Sequence, residues 1–170
     1  MTWLNCSKSC EVIFSDSRRK SRSVLETAPL PGITRSRCVK VLGVNISSDF
    51  SVTQQIQRLV AASAQTVYAL RVLRSRGLCD TALQHVYRST VIARLMYAAS
   101  AWRRLASASD RQRIDSVIDR ARRYGYCASD LPSFDELCDD ADDELFNKAV
   151  RLPNHVLHSL FPPQSNASQR

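Results

Sequence analysis

Two amphipathic stripes joined by a link of two residues constrain this 170-residue chain more than any other feature of it. Ile56, Leu59, Val60, Ser63, Val67 and Leu70 recur at helical spacing up to Gly77. Leu83, Tyr87, Val91, Leu95, Ala98 and Trp102 recur at the same spacing after Asp80. Gly77 supplies a helix stop and Asp80 a helix cap, which leaves only Leu78 and Cys79 to reverse the chain. So short a link forces an antiparallel helical hairpin. Its first helix is expected to open on a capping box formed by Ser51 and Gln54.

A third helix is expected to start at Ser109 or Asp110, to carry Ile114, Val117, Ile118, Ala121 and Tyr124 inside, and to end at Gly125. Ser133 and Glu136 form a second capping box, opening a helix with Phe134, Leu137, Ala141, Leu145 and Ala149 on one side and acids on the other. Pro153 stops that helix, and His155–Leu160 is expected to add one short helical turn. Before the helices, Val39, Val41, Val44 and Ile46 mark a strand run containing Gly43, a sign of a bulge or a close backbone approach. Glu11–Phe14 reads as a short strand, and pairing it with Val39–Val44 would make the intervening segment a long hairpin loop. The fold expected is mainly α, a bundle of about four helices with a small N-terminal two-stranded β element. It divides into a β segment with a basic loop (1–50), a helical domain (51–130), an acidic helical tail (131–163) and a disordered end (164–170).

Charge separates along the chain. Residues 1–130 hold 21 basic and 9 acidic side chains, a net +12, whereas 131–170 hold 3 and 7, a net −4. A basic body points to a polyanionic partner, and an acidic tail is open to a protein partner. The candidate phosphate contacts are Arg18, Arg19, Lys20 and Arg22 in the basic loop, Lys40 on the strand, Arg71, Arg74 and Arg76 at the end of the first helix, and Arg113, Arg120 and Arg123 on the third. Tyr87, Tyr97 and Trp102 can stack bases, although core packing explains them more simply. Six cysteines without a C-x-x-C pair indicate a reduced, intracellular setting, and His155 and His158 lack the cysteine pair of a zinc finger, so neither metal nor cofactor is expected. No apolar run approaches the ~20 residues of a membrane span, so the chain is expected to be soluble.

The order of four short motifs resembles non-LTR retrotransposon reverse transcriptases. Asn5, Lys8 and Phe14 match an L-N-x-x-K-[ST]-x-x-x-x-F segment of that family, and the run Val39–Val52 resembles the strand and turn beyond its palm. Tyr87, Val91, Leu95, Tyr97 and Trp102 match its thumb helix, with Ala98 where glycine is usual. Phe134–Glu136, Asp142–Phe146, His155–Leu157 and Pro162–Pro163 are similar to the tail that closes some animal elements.

The resemblance implies a C-terminal fragment comprising post-palm strand, thumb and tail. Leu42, Gly43 and Val44 take the place of the primer grip, which seats the 3′ end of the growing strand. Lys8 takes the place of a lysine discussed as a proton donor to pyrophosphate, but without a palm to position it, an exposed turn lysine is expected. The family's aromatic-x-Asp-Asp hairpin is absent from these 170 residues. Asp139–Asp140 and Asp142–Asp143 lie in the acidic helix, where solvated charges explain them better than a two-metal site. Catalysis is therefore not expected of the chain alone, Mg²⁺ belongs to the parent polymerase, and an RNA/DNA primer-template is the implied partner. A stand-alone basic nucleic-acid-binding module and a helical protein-interaction domain with an acidic tail are the alternatives.

Overall fold

The computed structural model of the protein describes residues 5–15 and 28–162, and the basic loop of Arg18, Arg19, Lys20 and Arg22 and the expected disorder of 164–170 lie outside them. In chain order the elements are β1 (Cys10–Glu11), β2 (Thr34–Arg35), β3 (Cys38–Val41), β4 (Val44–Ser47), α1 (Thr53–Ser75), α2 (Asp80–Tyr87), α3 (Ala93–Met96), α4 (Ala99–Trp102), α5 (Ala108–Arg123) and α6 (Phe134–Arg151). The mainly α architecture matches the pattern of the sequence.

The strand run folds into a hairpin, with Gly43 in its turn rather than in a bulge. β3 and β4 pair antiparallel with Val41 opposite Val44, leaving a two-residue turn of Leu42 (φ 47°) and Gly43 (φ 92°). Positive φ at both positions suits the right-handed twist of the flanking strands. Glu11 does not pair with this run. β1 lies parallel to β2, where Glu11 accepts from Arg35 at 2.9 Å. A two-residue turn closes the β3–β4 pairing at far lower entropic cost than a loop of more than twenty residues.

The caps differ in detail from the sequence pattern. Val52 precedes α1, and Ser51 Oγ accepts from the Thr53 amide (3.2 Å), so the Ser51–Gln54 box does not form. Gln55, buried on the first turn, instead accepts from the Asn45 side chain (2.9 Å) and backbone (3.3 Å), fastening β4 to α1. Asp80 is the first residue of α2 rather than its cap, and its carboxylate accepts from Arg74 (2.9 Å). Ser107, not Ser109 or Asp110, caps α5. The Ser133–Glu136 box forms as expected.

The second stripe is interrupted twice. Arg88–Ile92 widens into a π turn, where the Thr90 hydroxyl donates to the Val86 carbonyl (2.5 Å) and perturbs the ordinary ladder. At Tyr97–Ala98 the helix breaks outright, with Ala98 left-handed at φ 52°. Leu83, Tyr87, Val91, Leu95 and Trp102 stay buried, whereas Ala98 is exposed and Ala99 takes its place inside. The Trp102 indole donates to the Tyr97 carbonyl (3.0 Å), satisfying an acceptor that the break releases. Tyr97, turned outward, donates from its hydroxyl to the Leu42 carbonyl (2.9 Å), and its ring lies close enough to Gly43 for a Cβ there to meet it at 3.5 Å. The helix break thus latches the hairpin tip to the bundle.

A β-carbon costs about 1–2 kcal/mol in the left-handed region. Ala98→Gly should therefore raise stability by about 1 kcal/mol after glycine's greater unfolded-state entropy is subtracted, seen as a higher urea midpoint at unchanged m. A lower midpoint would mean that Ala98 is not held left-handed in solution.

One core joins β4, α1, α2, α5 and α6 through residues from Val44 to Cys138. Phe134 of α6 stacks on Trp102 at 5.9 Å between ring centroids, and Cys138 is fully buried. Arg103 donates to the Asp135 carbonyl (3.2 Å) and pairs with Asp139 and with Asp142 (3.2 Å), clamping the acidic helix to the body.

Candidate nucleic-acid interface

Helices α1 and α5 pack side by side, and a buried carboxylate sets their starts. Asp110, 1% exposed, accepts from Thr53 Oγ1 at the entry of α1 (2.9 Å), from Ser107 Oγ (2.7 Å) and from Arg113 (3.2 Å). Burial pushes its carboxyl pKa up, but the bonds from Ser107 and Thr53, with the Arg113 charge, outweigh that and hold it below the ordinary value. A lowered folded-state value means stabilisation that is present above the unfolded carboxyl's pKa, near 3.9, and is lost as pH falls through the folded one. Asp110→Asn should cost about 1–3 kcal/mol at pH 7 and flatten the loss of stability below about pH 4, measured by urea titration across pH. An unchanged acid limb would exclude Asp110 as its source.

Between the same helices runs a groove with a basic rim. Its larger part, about 540 Å³, is lined by Ala64, Val67, Tyr68, Arg71 and Arg74 from α1 and by Arg120, Tyr124 and Tyr126 from the end of α5. A smaller part, about 220 Å³, continues along Val60, Ala64 and Val67 to Val117, Arg113 and Arg120. Both helices end in the same way, which places these side chains. Gly77 and Gly125 are left-handed (φ 91° and 70°), and the next residues, Leu78 and Tyr126, donate back to Leu73 (3.1 Å) and Ala121 (2.9 Å). Tyr126 is thereby folded under the end of α5 and buried.

The cationic residues of the sequence reading fall into distinct places. Arg71, Arg74, Arg113 and Arg120 share the groove. Arg74 is tied down, donating to the Tyr124 carbonyl (2.6 Å) and to Asp80 while lying 4.4 Å from the Tyr126 ring centroid. Arg113 is half engaged by Asp110. Among the described residues, Arg71, Arg120 and Arg123 are exposed and make no ion pair. Arg76 is exposed beside the C-terminus of α1, and Lys40 is exposed on β3. Leu42, 86% exposed, and Gly43 form the hairpin tip, whereas Val44 is buried in the core. Lys8 is exposed on a separate 3-10 turn.

The aromatic side chains bear out the expected core packing at Tyr87 and Trp102 and correct the reading elsewhere. Tyr87 and Trp102 are core residues, and Tyr97 serves the hairpin latch. Tyr124, expected inside, is 55% exposed, and Tyr68, which the stripe passes over, is 69% exposed. A tyrosine one position beyond Val67 lies outside the apolar stripe, and that solvent-side position is the signal that marks it. Val117 is only half-buried, being part of the groove floor.

No group of three or more metal-ligating side chains occurs among the described residues, and no helix there is long and apolar enough to cross a membrane. His155 accepts from the Leu157 amide (3.2 Å), and His158 Nδ1 lies 2.9 Å from the Ala149 carbonyl. Comparison with protein families, with curated proteins and with solved structures yields no match to this chain.

Proposed function

We propose that the chain is a nucleic-acid-holding module, the post-palm hairpin, thumb and tail of a non-LTR retrotransposon reverse transcriptase, inert as a polymerase by itself. The observation that carries this reading is the α1–α5 groove, in which Arg71, Arg113 and Arg120 gather on one face of a basic body. Backbone phosphates are the partner such a rim suits, because guanidinium forks bind them without reading sequence. The family resemblance gains support from Ala98. The position at which the family carries glycine is left-handed here, the conformation that glycine adopts without strain. The hairpin tip supports it too, since Leu42 and Gly43 project from the surface and are fixed from behind by Tyr97.

A primer-template RNA–DNA hybrid offered to the purified chain at low ionic strength tests the reading. Binding is expected for all sequences alike, without primer extension in Mg²⁺. Arg71→Gln, Arg120→Gln and Arg123→Gln together are expected to weaken it. Exposed apolar side chains on α6 and the segment after it, among them Phe146, Val150, Val156 and Leu160, favour a second reading as a protein-contact surface.

A further inference from the structure

Resting on the nucleic-acid reading, we infer that the larger part of the α1–α5 groove is a pocket for one unpaired nucleotide of the bound strand. The base would stack on Tyr68 and Tyr124, with its phosphate on Arg71 and Arg120. Two exposed aromatic rings and two arginines without an ion pair line a single concavity of about 540 Å³. That volume admits a small organic group, and a duplex stays outside it, reaching only the arginines of the rim. Rings and guanidinium groups in one pocket match a ligand that presents a flat π face and an anion a few ångströms apart, and a nucleotide does so whatever its base. An acidic peptide would satisfy the arginines alone and leave both rings unmatched.

The pocket wall is preset. Arg74 does not face the ligand as a free cation. It holds the Tyr124 carbonyl, covers the Tyr126 ring and pairs with Asp80, so the end of α5 is locked to α1 before anything binds. Tyr124 meets Tyr126 edge-on at 6.1 Å, which restrains its ring. Sequence-tolerant stacking beside a phosphate rim would let the module grip the junction where a duplex passes into a single strand.

Fluorescence anisotropy on the full chain distinguishes this pocket from duplex binding in general. The probes are a blunt RNA–DNA hybrid and the same hybrid with a three-nucleotide overhang carrying 2-aminopurine. The overhang should improve affinity by about tenfold and its fluorescence should be quenched on binding. Tyr68→Ala and Tyr124→Ala, on different helices and both surface changes, should each bring the overhang-to-blunt affinity ratio close to one, whereas Tyr124→Phe should keep it. Blunt hybrid bound in a salt-dependent way with no overhang advantage, or an advantage that survives both alanine variants, would overturn the pocket and leave the proposed function standing. No binding of either probe would overturn both.

Discussion

Trp102→Ala is expected to remove about 3–5 kcal/mol of stability, a large share of what holds the whole domain folded. The indole is fully buried, stacks on Phe134 and donates to the Tyr97 carbonyl at 3.0 Å. Truncating a buried Trp to Ala costs about 3–5 kcal/mol, against about 5–15 kcal/mol for a whole domain. The side chain also joins three parts of the structure. Its ring carries α6, and its N–H closes the helix break that presents Tyr97 to the hairpin. Losing it should loosen the acidic helix and the hairpin latch together. Trp102→Phe should retain the stacking and forfeit the hydrogen bond, costing about 1–3 kcal/mol for the orphaned carbonyl as well as lost volume. Chemical denaturation monitored by far-ultraviolet circular dichroism gives both values. A Trp102→Ala variant within about 1 kcal/mol of the parent would mean that α6 does not dock on this residue.

The interdependence of α6 and the body bears on how charge is tested. Removing residues 131–170 would subtract a net −4, but it would also remove Phe134 and Cys138 from the core. Substituting exposed acids such as Asp140 and Asp143 changes the field without that loss.

The helices were legible because their signals are local. The stripe from Ile56 to Leu70, the stop at Gly77 and the Ser133–Glu136 box each depend on residues within a turn or two. What escaped depends on neighbours distant in sequence. Ser51 and Gln54 have the spacing of a box, but buried Val52 sets the entry of α1 while Asn45 claims Gln55. The break at Ala98 lies in an unbroken stripe, and its partners are Leu42 and Gly43, more than fifty residues away. The groove was half legible. Arg71, Arg74, Arg113 and Arg120 were identifiable as charge, but charge alone does not reveal that Arg74 is spent on Tyr124, Tyr126 and Asp80. Nor does helical spacing show that Tyr124, at the last turn of α5, swings outward while Tyr126 folds beneath it.

The second large effect concerns binding. Arg71, Arg120 and Arg123 are exposed, carry no ion pair among the described residues and support no core contact, so their replacement by glutamine should leave the fold intact. If each neutralises one phosphate, the three account for a log–log salt slope of about −2.7. Over a rise from about 50 to 200 mM salt, that slope alone weakens binding about 40-fold. The loss should fall equally on every sequence, because phosphate contacts carry no base information.

The salt dependence of hybrid-duplex affinity, compared between the parent chain and the Arg71→Gln, Arg120→Gln, Arg123→Gln variant, tests the central claim most directly. A steep parental slope that becomes shallower by about 2.7 in the folded variant is the expected result. Binding by the variant with the parental affinity and slope, or no salt-dependent binding by the parent, would contradict the assignment of these arginines to nucleic acid.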